Sequence, residues 1–164
     1  MPVFSELRPE YQKTAFSCGV PVLDSYLKER ARLDLKRGMC AVHVLTEDTT
    51  IIGFYTLSAF TLQLQSLPRE IAKKYPANML LPCWLIGRLA VDLKFQKQNF
   101  GQILLADALQ NIVTLSKKAG GYCVIVDAKN ERVKPFYEKY GFKPVIDDEL
   151  RLYLPLSAIP MRDI

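Results

Sequence analysis

FQKQNFGQILL, Phe95 to Leu105, lies where an apolar strand pattern hands over to a helical one. Before it, Leu85 to Asp92 reads LIGRLAVD. After it, Leu104, Leu105, Ala108, Leu109, Ile112 and Leu115 recur at the spacing of one helix face. A helix opening near Phe100 leaves its first backbone N–H groups unpaired, and the helix dipole makes them an anion site. A turn that wraps a pyrophosphate must aim successive N–H groups inward with no side chain in the way, which suits glycine. Here only Gly101 remains, and Lys97 and Asn99 stand where such turns usually carry glycine. Asparagine visits left-handed backbone more readily than most residues. Lysine does not, but its ammonium can reach a phosphate. Taken alone, the loop fits a phosphate turn and a plain strand-to-helix connection equally well.

A second strand–loop–helix unit follows. Tyr122 to Ala128 is a buried-type strand with CVIV at its centre, and Asn130 stands at its end. Glu131 to Tyr140 then reads as a shorter helix stopped by Gly141. Read in isolation, Phe136, Tyr137 and Tyr140 are ordinary core aromatics on that helix.

Upstream, the spacing of Leu23, Tyr26, Leu27 and Ala31 predicts a helix over 23–37, with Gly38 as its C-terminal stop. Lys28, Arg32 and Lys36 fall at i, i+4 and i+8 and form one basic stripe. The stripe suits either a solvated helix face or a polyanion. Met39–Leu45 and Ile51–Leu64 read as strands joined by the EDTT turn, an antiparallel hairpin. Leu67–Tyr75 reads as a short helix bounded by Pro68 and Pro76. Cys83–Val91 is a strand, Phe100–Lys118 a long helix, and Phe142–Ile146 and Leu150–Leu154 are closing strands. The pattern is one mixed α/β domain spanning 1–164, without repeats or linkers.

Composition narrows the chemistry. The chain has 164 residues, 49% of them hydrophobic and 24% charged, with a net charge of +5. That is enough length to bury a core, and the charge leans towards an anionic partner. No apolar run approaches the ~20 residues that span a bilayer, and the N-terminus lacks a signal pattern, so a cytoplasmic protein with no membrane partner is expected. The cysteines, at 18, 40, 83 and 123, are scattered and there is one histidine, so buried thiols are expected and no metal site. His43, in the alternating run CAVHVL, reads as a strand residue, which argues against Ser-His-Asp or Cys-His chemistry.

Taken together, the two units resemble the GNAT family of N-acetyltransferases. The family's acetyl-CoA loop, Q/R-x-x-G-x-G/A, is matched by Gln96-Lys97-Gln98-Asn99-Phe100-Gly101 except at the middle glycine. Its later motif, N-x-x-A-x-x-F-Y-x-x-x-G-F, is met by Asn130, Phe136, Tyr137, Gly141 and Phe142, with Val133 in place of the small residue. A narrower likeness covers nearly the whole chain. FSCGVPVLDSYLKERA (16–31), IGFYTLSAF (52–60), LIGRLAVD (85–92) and LLADAL (104–109) are similar to acetyltransferase toxins of bacterial toxin–antitoxin pairs.

The resemblance implies a single GNAT domain, with a mostly antiparallel twisted sheet flanked by helices and a central parallel strand pair splayed around acetyl-CoA. Leu89, Ala90 and Val91 would line the pantetheine, and Gln96, Lys97, Gln98, Asn99, Phe100, Gly101 and Gln102 the pyrophosphate. Asn130 and Phe136 would complete the donor site, and Tyr137 would act as general acid. The implied acceptor is aminoacyl-tRNA, met by Lys28, Arg32, Lys36 and Arg88, an arginine inside an apolar strand being costly unless paired or used. A ribbon-helix-helix antitoxin and a homodimer complete the implied partners. Two other readings stay open: an acetyltransferase of a small amine or protein N-terminus, and a weakly active or silent GNAT-fold binding protein with an altered loop.

Overall fold

The computed structural model describes residues 1–160. Its strands are β1 (Val3–Glu6), β2 (Ala41–Glu47), β3 (Thr50–Gln63), β4 (Leu80–Val91), β5 (Cys123–Asp127), β6 (Lys143–Val145) and β7 (Asp148–Pro155). Its helices are α1 (Pro21–Ser25), α2 (Ala31–Lys36), α3 (Arg69–Ala72), α4 (Phe100–Ala119) and α5 (Lys134–Glu138), with a π-turn at Tyr26–Arg30. The strand order is β1-β2-β3-β4-β5-β7-β6. Pairing is antiparallel for β1–β2, β2–β3, β5–β7 and β6–β7. β4 and β5, neighbours joined by the crossover helix α4, make the one parallel pair. The mixed α/β class and the parallel pair expected from the sequence are therefore present.

Two compact units make up the chain, one from Met1–Ser58 with Ile86–Asn111, the other from Ala59–Leu85 with the residues from 112 onward. In the first, Leu23, Tyr26, Leu27 and Ala31 pack with Phe16, Val42, Val44, Phe54 and Ala90. Gly53 in β3 leaves room for α4 to pack on the sheet: a Cβ there would stand 2.7 Å from Leu104 Cδ1. In the second, Cys83, Cys123, Ile125, Val145 and Tyr153 share a core with Leu62, Leu64, Leu67 and Leu81. Cys83 and Cys123 are reduced there, their Sγ atoms 3.3 Å apart.

The helix expected over 23–37 differs in one respect. It begins at Pro21, and a π-turn separates α1 from α2, with Ala31 N–H donating to Tyr26 C=O, an i→i+5 bond. The extra residue in that turn lets Tyr26, Leu27 and Ala31 all face the core, at 7%, 0% and 0% exposure. The helix ends as expected at Gly38, whose φ is +73°. Gly38 N–H bonds Leu35 C=O and Met39 N–H bonds Asp34 C=O, the paired bonds of a Schellman stop. The EDTT hairpin turn is present too, with Asp48 left-handed. β1, unforeseen in the sequence, pairs along β2. The late helix is shorter than read, Lys134–Glu138, because the residues before it form a turn capped by Asn130. No helix among the described residues is long and apolar enough to cross a membrane.

Candidate functional site

In the first unit, β4 ends at Val91 and the chain passes through a 3-10 turn, Leu93–Phe95, into the loop before α4. Asp92 anchors this passage. Its carboxylate, in a residue only 5% exposed, accepts from Ser17 N–H (3.0 Å) and Lys94 N–H (2.9 Å). Leu93 N–H adds a bond to Ser17 C=O (2.8 Å). Gln96 braces the same base, its amide Nε2 donating to Cys18 C=O (3.0 Å) and Val91 C=O (2.9 Å). Its side chain is thus engaged in shaping the loop.

Beyond Gln96 the backbone does what a glycine turn does, without the glycines. Lys97 and Asn99 sit at φ +64° and +66°, in the left-handed region that turns N–H groups towards a common concavity. Asn99 C=O accepts the first α4 bond, from Ile103 N–H at 3.1 Å. The N–H groups of Phe100, Gly101 and Gln102 precede that bond and sit at the positive end of a 20-residue helix. Lys97, Gln98, Asn99 and Gln102 are exposed, and Phe100 is half-buried against Phe95. These residues fit a pyrophosphate.

β4 leads into this loop. Asp92 N–H bonds Ile52 C=O of β3 (2.8 Å). Strand N–H groups alternate in direction, so those of Leu89 and Val91 face away from β3 while that of Ala90 faces it. Ala90 is buried, and Leu89 and Val91 are half-buried.

Arg88 lies half-buried on the same strand, with its guanidinium carbon 3.5 Å from the centroid of the Tyr26 ring. The expected costly arginine is thus spent in a cation–π contact, and it has no ion pair among the described residues. Lys28, Arg32 and Lys36 are all exposed and likewise without ion pairs among the described residues. The π-turn interrupts the expected stripe, Lys28 lying within it and the other two on α2.

In the second unit, Tyr137 is on α5, 5% exposed, between edge-on contacts with Phe136 (5.1 Å) and Phe142 (5.8 Å). Burial, and secondarily the charge of Asp127, push its phenol up to about 12. Asp127 is itself held by Arg151 through two bonds, 2.8 and 3.1 Å. β5 ends at Asp127, so Asn130 lies in the loop just beyond it and not at the strand's end, and its Oδ1 accepts from Arg132 N–H (2.9 Å) and Val133 N–H (3.2 Å). That cap fixes the approach to α5 and leaves the Asn130 amide NH2 as a donor. Phe136 is half-buried and also edge-on to Tyr140 (5.6 Å).

His43 occupies β2, stacked on Tyr55 at 4.9 Å, and burial holds its imidazole below the usual range. It is the strand residue the alternation suggested. Asp92 was not singled out from the sequence. Its signal is an acidic side chain closing an apolar strand just before a helix-opening loop. Tyr26 read as a core residue and is also the platform under Arg88.

A strand, a left-handed loop and a long helix, then a strand, an asparagine cap and a helix with a buried tyrosine, define an acyltransferase class of α/β protein. Residues 38–144 match the acetyltransferase (GNAT) domain, and the chain belongs to that family. It is 30% identical over 158 residues to a probable toxin TacT of Sinorhizobium fredii (strain NGR234), covering 91% of this chain and 87% of the relative. It is 32% identical over 141 residues to a tRNA-acetylating toxin of Mycobacterium tuberculosis (strain H37Rv), covering 86% and 84%. Among solved structures, AtaT complexed with acetyl-methionyl-tRNAfMet superposes with a TM-score of 0.89 at 26% identity, covering 96% of each chain. The 91% coverage cannot be reached without part of the segment before residue 38, where the basic helix lies.

Proposed function

We propose that the protein transfers the acetyl group of acetyl-CoA to the α-amino group of an aminoacyl-tRNA, and so acts as a toxin that blocks translation. The observation that carries the reading is the loop before α4. Lys97 and Asn99 hold left-handed backbone there although neither is glycine, a strained conformation of the kind that clusters at ligand clamps. The acceptor is argued from the tRNA-acetylating relative, whose likeness extends beyond the matched domain, and from the exposed cations at 28, 32 and 36.

Acetyl-CoA supplies the acyl group as a thioester. The N–H groups of Lys97 to Gln102 hold its pyrophosphate, with the Lys97 ammonium at hand. Leu89 and Val91 N–H groups orient the pantetheine and the thioester carbonyl, beside Ala90. Asn130 and Phe136 line the remainder. The amine attacks the carbonyl carbon, the C–S bond breaks, and Tyr137 O–H delivers a proton to the departing sulfur. The proton shed by the newly acylated nitrogen leaves through solvent, from which the phenolate regains its own. A phenol pushed up to about 12 is fully protonated at neutral pH. No base is required where the acceptor is an α-amino group, whose pKa of about 8 leaves a neutral fraction at pH 7.

In this reading the protein works in the cytoplasm as a homodimer and is restrained by a ribbon-helix-helix antitoxin. The test is purified protein incubated with radiolabelled acetyl-CoA and a complete set of charged tRNAs. Labelled N-acetyl-aminoacyl-tRNA is expected. Absence of product on every charged tRNA, or turnover of free amines without RNA, overturns the proposal.

A further inference from the structure

Beside the π-turn, the first unit holds a cavity of about 430 Å³, lined by Pro21, Val22, Ser25, Glu29 and Arg30 together with Tyr26 and Arg88. That size falls within the roughly 300–1,000 Å³ of small-ligand sites. One face of the Arg88 guanidinium covers the Tyr26 ring, 3.5 Å from its centroid. The ring cannot swing away. Its hydroxyl donates to Asp34 Oδ2 at 3.0 Å, the Cys40 thiol lies at 3.4 Å, and Phe54 backs it nearly parallel at 6.4 Å and 17°. Tyr26 and Phe54 are buried, at 7% and 0%. The result is a rigid aromatic stack ending in a planar cation.

We propose that this cavity seats the 3′-terminal nucleobase of a nucleic-acid acceptor, stacked on Arg88. The inference rests on the proposed tRNA acceptor and adds which part of it is held, and by what. Arginine planes are favoured platforms for unpaired bases, and bases inside a duplex are not available to them. Only a frayed or single-stranded end can enter, and the acceptor amine sits on that end. Arg88 directly precedes Leu89 in β4, so the platform springs from the strand position next to the proposed thioester-binding backbone. Of the two arginines in the lining, Arg30 lies 3.9 Å from the Asp34 carboxylate, and Arg88 is the cation without an ion pair among the described residues. Ser25 Oγ and the Glu29 carboxylate supply an acceptor edge for a base's exocyclic amine. An apolar peptide would have to cover an arginine with no ion pair among the described residues, at the cost of its hydration.

The experiment uses two fluorescent acceptor-stem RNA hairpins, identical except that one ends in CCA and the other carries an abasic residue at the terminal position. Anisotropy titration of the full-length protein is expected to give about tenfold tighter binding of the CCA hairpin, the scale of one base on an aromatic or arginine platform. R88K, which keeps the charge and removes the plane, is expected to erase that preference while still binding both hairpins. Charge reversal K28E/R32E is expected to weaken both equally and keep the preference. Calorimetric acetyl-CoA binding by R88K checks that it is folded. A wild type indifferent to the terminal base, or an R88K protein that keeps the preference, overturns the inference. Because the readout is binding of uncharged RNA, it is separate from any failure of acetyl transfer.

Discussion

Replacing Lys97 by glycine separates what the loop's backbone does from what its side chain does. Lys97 is exposed and left-handed at φ +64°. A residue with a Cβ pays roughly 1–2 kcal/mol for that conformation, and glycine loses part of the difference, about 0.5–1 kcal/mol, to its greater unfolded freedom. K97A keeps the Cβ and removes the ammonium; K97G removes both. K97G is therefore expected to exceed K97A in stability by about 1 kcal/mol. In a chain of this size that raises the melting temperature by about 2–4 °C. The substitution therefore bears on two quantities, folding stability and acetyl-CoA affinity. Denaturant titration of the three proteins measures the first quantity and calorimetry with acetyl-CoA the second. If turn shape alone matters, both variants bind like wild type. If the ammonium contacts a phosphate, both weaken equally. A K97G protein no more stable than K97A would refute the strain reasoning.

Further perturbations follow from the same geometry. D92N keeps the size of the buried side chain but weakens two charge-assisted bonds at the loop base; a loss of about 1–3 kcal/mol is expected by denaturant titration, with weaker acetyl-CoA binding. Charge reversal at Lys28, Arg32 and Lys36 is expected to cut aminoacyl-tRNA affinity and to flatten its salt dependence, measured as the slope of log K against log salt, with acetyl-CoA affinity retained. The Tyr137 phenol, raised by burial and by Asp127, is expected to ionise near pH 12, against about 10 when unfolded. The folded state holds that proton more tightly, so its contribution to stability is complete below pH 10 and fades as pH rises through 12. Ultraviolet titration of wild type minus Y137F isolates this phenol, and D127N is expected to lower it.

Much of the fold was legible because its signals are local. The Gly38 stop, the hairpin turn and the apolar face of α4 each follow from residues a few positions apart. The π-turn was not, since nothing in YLKER favours i→i+5 bonding. It arises where Tyr26, Leu27 and Ala31 all bury at once, a tertiary demand. β1 escaped notice because four residues of half-exposed VFSE carry little periodicity. For the site, the loop's position was plain and its conformation was not. Asparagine is a fair candidate for positive φ, but lysine is not, and Lys97 is held there by a base that Asp92 and Gln96 tie to residues 17 and 18. Arg88 was visible as an anomaly in an apolar strand. Its partner, Tyr26, lies 62 positions away, and no pattern in the sequence joins them.

Y137F tests the proposed reaction most directly. The substitution removes one hydroxyl and keeps the ring that packs on Phe136 and Phe142, so the fold and acetyl-CoA binding are expected to persist. Single-turnover transfer of labelled acetyl to charged tRNA is expected to slow by about 10²–10⁴-fold, the range for losing a general acid. Transfer at the wild-type rate would contradict the assignment of Tyr137 and the mechanism built on it.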